Sequence, residues 1–372
     1  MKFAFTGAAA LLMGTTSVMA GGIERAPQSL NVLFEEGNYA ELSFGAVDPT
    51  IEGTDVLGAA TGDVAQGYGF VGLAYKHQFN ANLSAALIIE QPFGADIRYA
   101  PFDGTNGSPV LGGTRAIVDS TTYTALMRYK WENNFSVHGG IRGSRASADV
   151  TLDGLAYGGP PPTGISGYGV SFDDSWGVGY VAGIAWEKPE IAARVSLTYN
   201  SDIEHDFDTT YSLVPGVTAN TTVSTPASWT LEGQTGVAAD TLVFGSIRWV
   251  DWSEFKVMPP GVGPLPSVDL VGLEDTTTFN LGVGRKFTEN WSGSASFTYE
   301  KAGDDLVSPL APTNGRKGIT LAGIYTQDNL KITTGVNYTK LGDAQPQTAD
   351  TARASMTDSE AWGVGVRVGY SF

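Results

Sequence analysis

Residues 361–372 read AWGVGVRVGYSF. In an extended chain, successive side chains point to opposite faces. Trp362, Val364, Val366, Val368, Tyr370 and Phe372 then share one face, and Gly363, Gly365, Arg367, Gly369 and Ser371 share the other. Chain ends fray unless they are tied into a sheet. A last strand with one wholly apolar face and one small or polar face has to lay its apolar face against a greasy phase. The stretch reads as the closing strand of a barrel whose outside meets lipid, with Tyr370 and Phe372 in an aromatic girdle at the interface.

The same period of two recurs along the chain. In NYAELSFGAV (38–47) Ala40, Leu42 and Phe44 oppose Tyr39, Glu41 and Ser43. In FVGLAYKHQF (70–79) Val71, Leu73 and Tyr75 share a face. In FSVHGGIRGS (135–144) Phe135, Val137 and Ile141 oppose Ser136, His138 and Arg142. IAARVSLTYN (191–200) and WSGSASFTYE (291–300) repeat the pattern, the latter with Trp291, Phe297 and Tyr299 against Ser292, Ser294, Ser296 and Thr298. A two-sheet soluble sandwich needs apolar inward faces, and these are too polar for one.

Short turns, FNANL, KWENNF, EKPEI, VAADTL, FTENW and TQDNL, alternate with longer Gly/Pro/Asp/Thr-rich loops near 49–64, 100–118, 153–172, 209–224, 256–272, 303–315 and 343–357. Six turns and seven loops join fourteen strands, the pattern of short periplasmic turns and longer outer loops. The fold class is therefore all-β, a transmembrane antiparallel barrel of about fourteen strands with both termini periplasmic. The chain has no cysteine, which excludes disulfides and thiolate metal sites. Its formal net charge of −17 argues against nucleic acid as a partner.

The opening MKFAFTGAAALLMGTTSVMA (1–20) has one lysine, an apolar run and small residues before Ala20, and reads as a secretory signal peptide. Residues 21–37 form a short N-terminal segment and 38–372 the barrel. The chain is expected to lie in the outer membrane of a Gram-negative bacterium. Catalysis is not expected. The only histidines are His77, His138 and His205; His77 sits beside a turn, His138 points inward, and His205 in SDIEHDFD (201–208) reads as the base of a solvated acidic loop. No hydrolase elbow, zincin helix or phosphate loop is present, and neither cofactor nor metal is implied.

Several stretches resemble the FadL/TodX family of outer-membrane channels for long-chain fatty acids and hydrocarbons. They are TPASWTLEGQTGVAADTLVFGSIRWVDWSEF (225–255), with a Pro-led strand and a W-S-x-F ending; WGVGYVAGIAWEKPEIAARVSLTYNSDIEHDF (176–207); and EQPFGADIRY (90–99), like the family's third strand with its glycine break. SVHGGIRGSRASADV (136–150) and FNLGVGRKFTENWSGSASFTYE (279–300) follow in the family's order. The likeness runs from about residue 38 to 372. It implies a monomeric barrel plugged by an N-terminal hatch, passing long-chain fatty acids or other hydrophobic molecules from outer loops to a lumenal pocket, then sideways into outer-membrane lipid through a gap at the third strand. The terminal aromatic resembles the signal read by the barrel assembly machinery. Two departures stand out. GGIERAPQSLNVLFEEGN (21–38) is short for a hatch and lacks the N-P-A triplet, of which Ala26-Pro27 is the nearest echo. DGLAYGGPPPTGISGYG (153–169) is short for a loop that builds a capping helix.

The residues of the third strand agree with the resemblance. LSAALIIEQPFG (83–94) alternates cleanly until Pro92, which has no ladder donor, followed by Phe93 and Gly94, where a bulge or kink is tolerated. Pro92, Phe93 and Gly94 are the candidate lateral opening. Arg128, Arg142, Arg194 and Arg248 face inward, opposed by Glu41, Glu90, Glu232 and Glu300. An apolar acid needs one such cation, so Arg142, Arg194 and Arg248 are candidate carboxylate contacts, and the others read as a salt-bridge lattice. Inward-facing apolar residues fit a hydrophobic path better than a water-lined porin. Phe70, Ile88, Leu126, Leu242, Phe244 and Val250 meet that description, and all but Leu126 join the candidate site. Hydrophobic transport therefore ranks above a general diffusion porin and above a structural or adhesive barrel.

Overall fold

The computed structural model describes residues 23–26, 28–159, 163–262 and 267–372. Residues 1–20, read as a signal peptide, and Pro27 lie outside these. The described chain forms one closed antiparallel sheet of seventeen segments. Three staves are each broken into two segments, so the barrel has fourteen.

The staves are β1 (Tyr39–Thr50), β2 (Tyr68–Gln78), β3 (Leu83–Glu90 and Gly94–Arg98), β4 (Arg115–Lys130) and β5 (Phe135–Leu152). Then come β6 (Tyr168–Lys188), β7 (Ala193–Asn200 and Ile203–Tyr211), β8 (Thr218–Thr225 and Ser228–Ala238), β9 (Thr241–Val250) and β10 (Thr276–Lys286). The last four are β11 (Trp291–Glu300), β12 (Arg316–Gln327), β13 (Leu330–Leu341) and β14 (Glu360–Ser371). Neighbours in sequence pair, and the seam joins β1 to β14 from Tyr39↔Ser371 to Thr50↔Glu360. Among the described residues no helix is long and apolar enough to cross a membrane.

Alternation sets the outer face. Leu42, Phe44, Val71, Leu87, Ile141, Val178, Leu281, Leu321 and Val364 are all exposed on it. Aromatic pairs bound this belt. Tyr199 lies 4.8 Å from Trp229, and Tyr338 lies 4.9 Å from Trp362. Near the short turns, Trp291 pairs with Tyr325 at 4.9 Å, and Phe372 stacks on Tyr75 at 6.2 Å, its amide donating to the Asn38 carbonyl.

Above the belt the sense of the alternation reverses. In β7, Ile203, His205, Phe207 and Tyr211 are buried, while Glu204, Asp206 and Asp208 face out. This corrects two expectations. The stretch from 209 to 224 is mostly strand, with only residues 212–217 as a turn, and His205 is a buried strand residue, 1 % exposed, not a loop base. Here both sides meet water or protein rather than lipid, so the polar face turns outward.

The lumen is filled, and its contents divide into two clusters. The outer half holds an apolar cluster that includes Ile23, Phe93, Ile97, Phe172, Phe207, Trp252 and Phe255. The short-turn half holds Leu30, Val32 and Leu33 of the N-terminal segment against Tyr39, Ile88 and Leu126. Across β10–β14 the inward side is small and polar, as at Ser294, Ser296, Thr320 and Asn337. Outside the membrane, the loops after β1 and β3 are joined by Asp55, which accepts from Ser108 Oγ at 2.6 Å and from the Leu57 and Ala59 amides.

Candidate functional site

The ladder of the wall is interrupted between β2 and β3. Below it the two staves pair from Gln78↔Ser84 up to Leu73↔Ile89. Above it Ala65 bridges Ile97 in the same register, and the Gln66 amide donates to the Asp96 carbonyl. Between these edges the ladder is missing, leaving a window framed by residues 67–72 and 90–95. Its cause is local. Pro92 has no N–H to donate, and the strand is interrupted at residues 91–93. At the window's lower edge, Gln91 Oε1 accepts from the Val71 amide at 3.3 Å, a side chain standing in for a backbone acceptor.

The N-terminal segment covers this window from inside. Glu24 bridges Phe93. The Arg25 and Ala26 amides donate to the Pro92 carbonyl at 2.7 and 3.2 Å, and the Gly94 amide donates to the Ile23 carbonyl at 2.8 Å. Arg25 lies across Gly94, its guanidinium 4.5 Å from the Tyr68 ring centre and 3.8 Å from Asp119. A Cβ on Gly94 would stand 2.4 Å from Arg25 Cζ, so the guanidinium can lie there only because residue 94 has no side chain.

Farther along, the segment is held by cations from the wall. Arg248 makes a two-point contact with Glu24, at 2.6 and 3.3 Å, and also donates to Thr230. Arg142 donates to Gln28, whose amide in turn donates to Glu24. Arg194 donates to Asn31 at 2.5 Å, and Arg128 donates to the Leu33 carbonyl at 3.1 Å. The Phe34 ring lies between Arg128 and Arg194, at 4.5 and 4.2 Å. Lys331 pairs with Glu35 at 2.8 Å, and Lys76 donates to the Glu35 carbonyl.

Immediately behind the window lies an apolar pocket of about 70 Å³. Ile23 and Phe93 form its window side, and Phe172, Phe207, Val223 and Phe255 line the rest. Phe93 is fixed at both backbone ends by Ser120 Oγ and packs edge-on against Trp252 at 6.0 Å.

These contacts show where the sequence-derived candidates sit. Pro92, Phe93 and Gly94 frame the window. Arg142, Arg194 and Arg248 converge on the N-terminal segment. Val250 belongs to the outer apolar cluster, and Phe70 packs at its edge over Gly45. Ile88 lies in the lower cluster with Leu30 and Leu33. Leu242 and Phe244 form a separate contact with Ala192 and do not reach the pocket. Sequence reasoning passed over Ile23, Phe172, Phe207 and Val223, and placed His205 in a solvated loop. The alternation Ile203–His205–Phe207 was the available signal, masked by the acids between them.

The comparisons with known proteins agree with this architecture. The profile of the family described as outer membrane protein transport protein (OMPP1/FadL/TodX) matches residues 9–372. The fold is similar to that of a Pseudomonas aeruginosa FadL homologue, with a TM-score of 0.73 at 16% identity over 96% of this chain and 98% of that one. It is also similar to the P. putida toluene transporter TodX, with a TM-score of 0.65 at 16% identity over 92% of each chain. The Ralstonia pickettii toluene transporter TbuX gives 0.65 at 14% identity, with both chains fully covered. No curated protein sequence matches the chain. The chain belongs to the OMPP1/FadL/TodX family of outer-membrane transport proteins, and is a channel for hydrophobic compounds.

Proposed function

We propose that this barrel carries out passive uptake of hydrophobic molecules, long-chain fatty acids among them, by a path that ends sideways in the bilayer. Substrate enters from the outer loops, reaches the apolar pocket, and leaves through the window between β2 and β3 when the N-terminal segment, acting as a hatch, withdraws. The observation that carries this reading is one of placement. Phe93 and Ile23 belong both to the pocket wall and to the contact that covers the window. A molecule in the pocket is therefore separated from lipid by one strand-like contact of the chain's own N-terminal segment.

An acid fits the same path, because withdrawal of Glu24, Gln28 and Asn31 would uncover Arg248, Arg142 and Arg194 together. A second reading, small neutral aromatics, is favoured by the pocket's lining, which contains no cation. The solved toluene transporters of similar fold are consistent with it. A general diffusion porin fits less well, since the outer half of the lumen is packed with apolar side chains.

The test is to bridge the window. Val71→Cys with Gln91→Cys, joined by a short reducible bis-thiol reagent, ties the two frames in a chain that has no other cysteine. Uptake of labelled oleate and of toluene should fall on bridging and return on reduction. Unchanged uptake by bridged, correctly assembled barrels would show that substrate does not leave here.

A further inference from the structure

The outer face of β10–β14 and β1 carries an apolar groove of about 1340 Å³, far larger than the pocket behind the window. The register explains it. One row of paired, outward-facing residues runs Arg285, Gly293, Gly323, Thr334, Val366 and Phe44. Val283, Leu321 and Val336 stand on one side of this row, and Phe287, Trp291 and Tyr325 on the side of the short turns. Gly293, Gly323 and Thr334 are low, so the row is the floor of a trough between taller apolar walls. The Phe287 ring leans over Gly293, but at Gly323 the floor is open, and a Cβ there would meet nothing within 4 Å. The trough is inclined. Arg285 is the last residue but one of β10, beside a short turn, whereas Phe44 lies well inside β1. From β10 to β1 the row crosses strand spacings of about 4.8 Å each, about 24 Å in all. Staves tilted by about 40° lift it about 15 Å over that distance. That is one leaflet of a hydrocarbon core about 30 Å thick.

At the low end of the trough Arg285 is exposed and donates to Thr241 Oγ1 at 3.3 Å. It pairs with no carboxylate among the described residues. An arginine on the lipid face is tolerated near the interface, where it meets headgroups, and is costly deeper. We propose that the trough seats one phospholipid of the leaflet on the short-turn side, with its phosphate on Arg285 and one acyl chain laid over Gly293, Gly323 and Thr334 towards Phe44. A guanidinium matches phosphate oxygens in a two-point contact, and the recess gives the chain contacts on more sides than a smooth belt does. A second copy of the barrel would bring its own apolar belt to this height and leave Arg285 without an anion. The neighbour of Phe44 on β2 is Val71, at the window's lower frame, so the chain would end at the foot of the window. The site does not depend on what the channel carries.

The experiment moves assembled barrels from phosphatidylglycerol bilayers into mild detergent and weighs them by native mass spectrometry, with assembly checked by heat modifiability. The wild type should retain one phospholipid. Arg285→Gln should weaken retention about fivefold, the share expected of one basic residue at a membrane surface. Gly323→Leu, whose side chain enters open space, should abolish retention in barrels that still assemble. Diacylglycerol with the same chains should be held about fivefold less tightly than phosphatidylglycerol, and glycerol phosphate should not displace the lipid. Retention that survives Gly323→Leu would put the lipid elsewhere and overturn the proposal. So would equal retention of diacylglycerol, since the phosphate would then play no part, or displacement by glycerol phosphate, since the chain would then play none. Preferential retention of oleate from a mixture would assign the trough to a free acid. Paired barrels that separate in Gly323→Leu would assign it to a second copy. Either result overturns the phospholipid assignment.

Discussion

Glu24→Gln should release the N-terminal segment from the window without unfolding the barrel. Arg248 and Glu24 are each about nine-tenths buried, and they meet at two points, so solvent does little to weaken the pair. Removing one partner of a buried ion pair costs about 3–5 kcal/mol, chiefly because the other charge is left uncompensated. Glutamine keeps one acceptor for Arg248, which lowers the figure to about 2–3 kcal/mol. The cost falls on the docked state alone, since Arg248 can be rehydrated once the segment leaves. The docked-to-released ratio should then drop by roughly 30- to 150-fold. A nitroxide on Ser29→Cys, the sole cysteine in the chain, reports this directly, because the variant's spectrum should gain a mobile component. Adding Arg248→Met removes the orphan charge, and should return much of the immobile signal. Identical spectra for wild type and Glu24→Gln in assembled barrels would refute the idea that this pair holds the segment in place.

The remaining predictions use other contacts. Phe34→Ala removes a ring shared by two guanidinium groups, worth about 0.5–1 kcal/mol each at exposed sites and about 2 when desolvated; it should loosen the same spin label less than Glu24→Gln does. Deleting Phe372 removes the stack on Tyr75 and the bond to Asn38, and we expect fractionation to show less assembled barrel and more periplasmic precursor; unchanged assembly would count against a role in recognition by the assembly machinery. Burial alone would raise the Asp55 carboxyl, but hydrogen bonds from Ser108 and from the Ala59, Leu57 and Val110 amides outweigh it and hold it below its ordinary value. A depressed carboxyl contributes stability that is present above the unfolded value of about 3.9 and is lost as pH falls through the folded one. The tie between the first two outer loops should therefore persist at neutral pH and fail in strong acid, while Asp55→Asn should show protease-sensitive outer loops at pH 7. Equal protease resistance in that variant would sink the assignment.

The membrane belt was legible from sequence because lipid imposes one rule on every stave, apolar outward, and Leu42, Ile141 or Val364 obey it locally. The break at Pro92 was legible for a similar reason, since a missing donor is a property of the residue itself. Above the belt the rule inverts. Ile203, His205 and Phe207 alternate as cleanly as any belt strand, but Glu204, Asp206 and Asp208 made the stretch look like a loop. The function of the arginines was less accessible still. Arg248 faces inward in a way alternation shows, yet its partner Glu24 is 224 residues away, and no local pattern records a contact of that kind. Inward cations can be counted from sequence, but what occupies them is settled by where the N-terminal segment is laid.

The seam constrains how the N-terminal segment comes to be enclosed. Pairing of residues 39–50 with 360–371 seals the cylinder by joining the first stave to the last. It also closes the longest loop in the molecule, so the entropy of closure is greatest there. The residues just before Tyr39 lie inside the cylinder, threaded through a ring of side chains from β2, β4, β5, β7, β9 and β13. They have to be inside before or as the seam zips, because afterwards a charged strand carrying Glu24, Arg25 and Glu35 would have to enter through the mouth against an already packed interior. The cations that hold the segment belong to staves spread round the cylinder, so sealing the seam encloses a segment already tied to the wall on several sides.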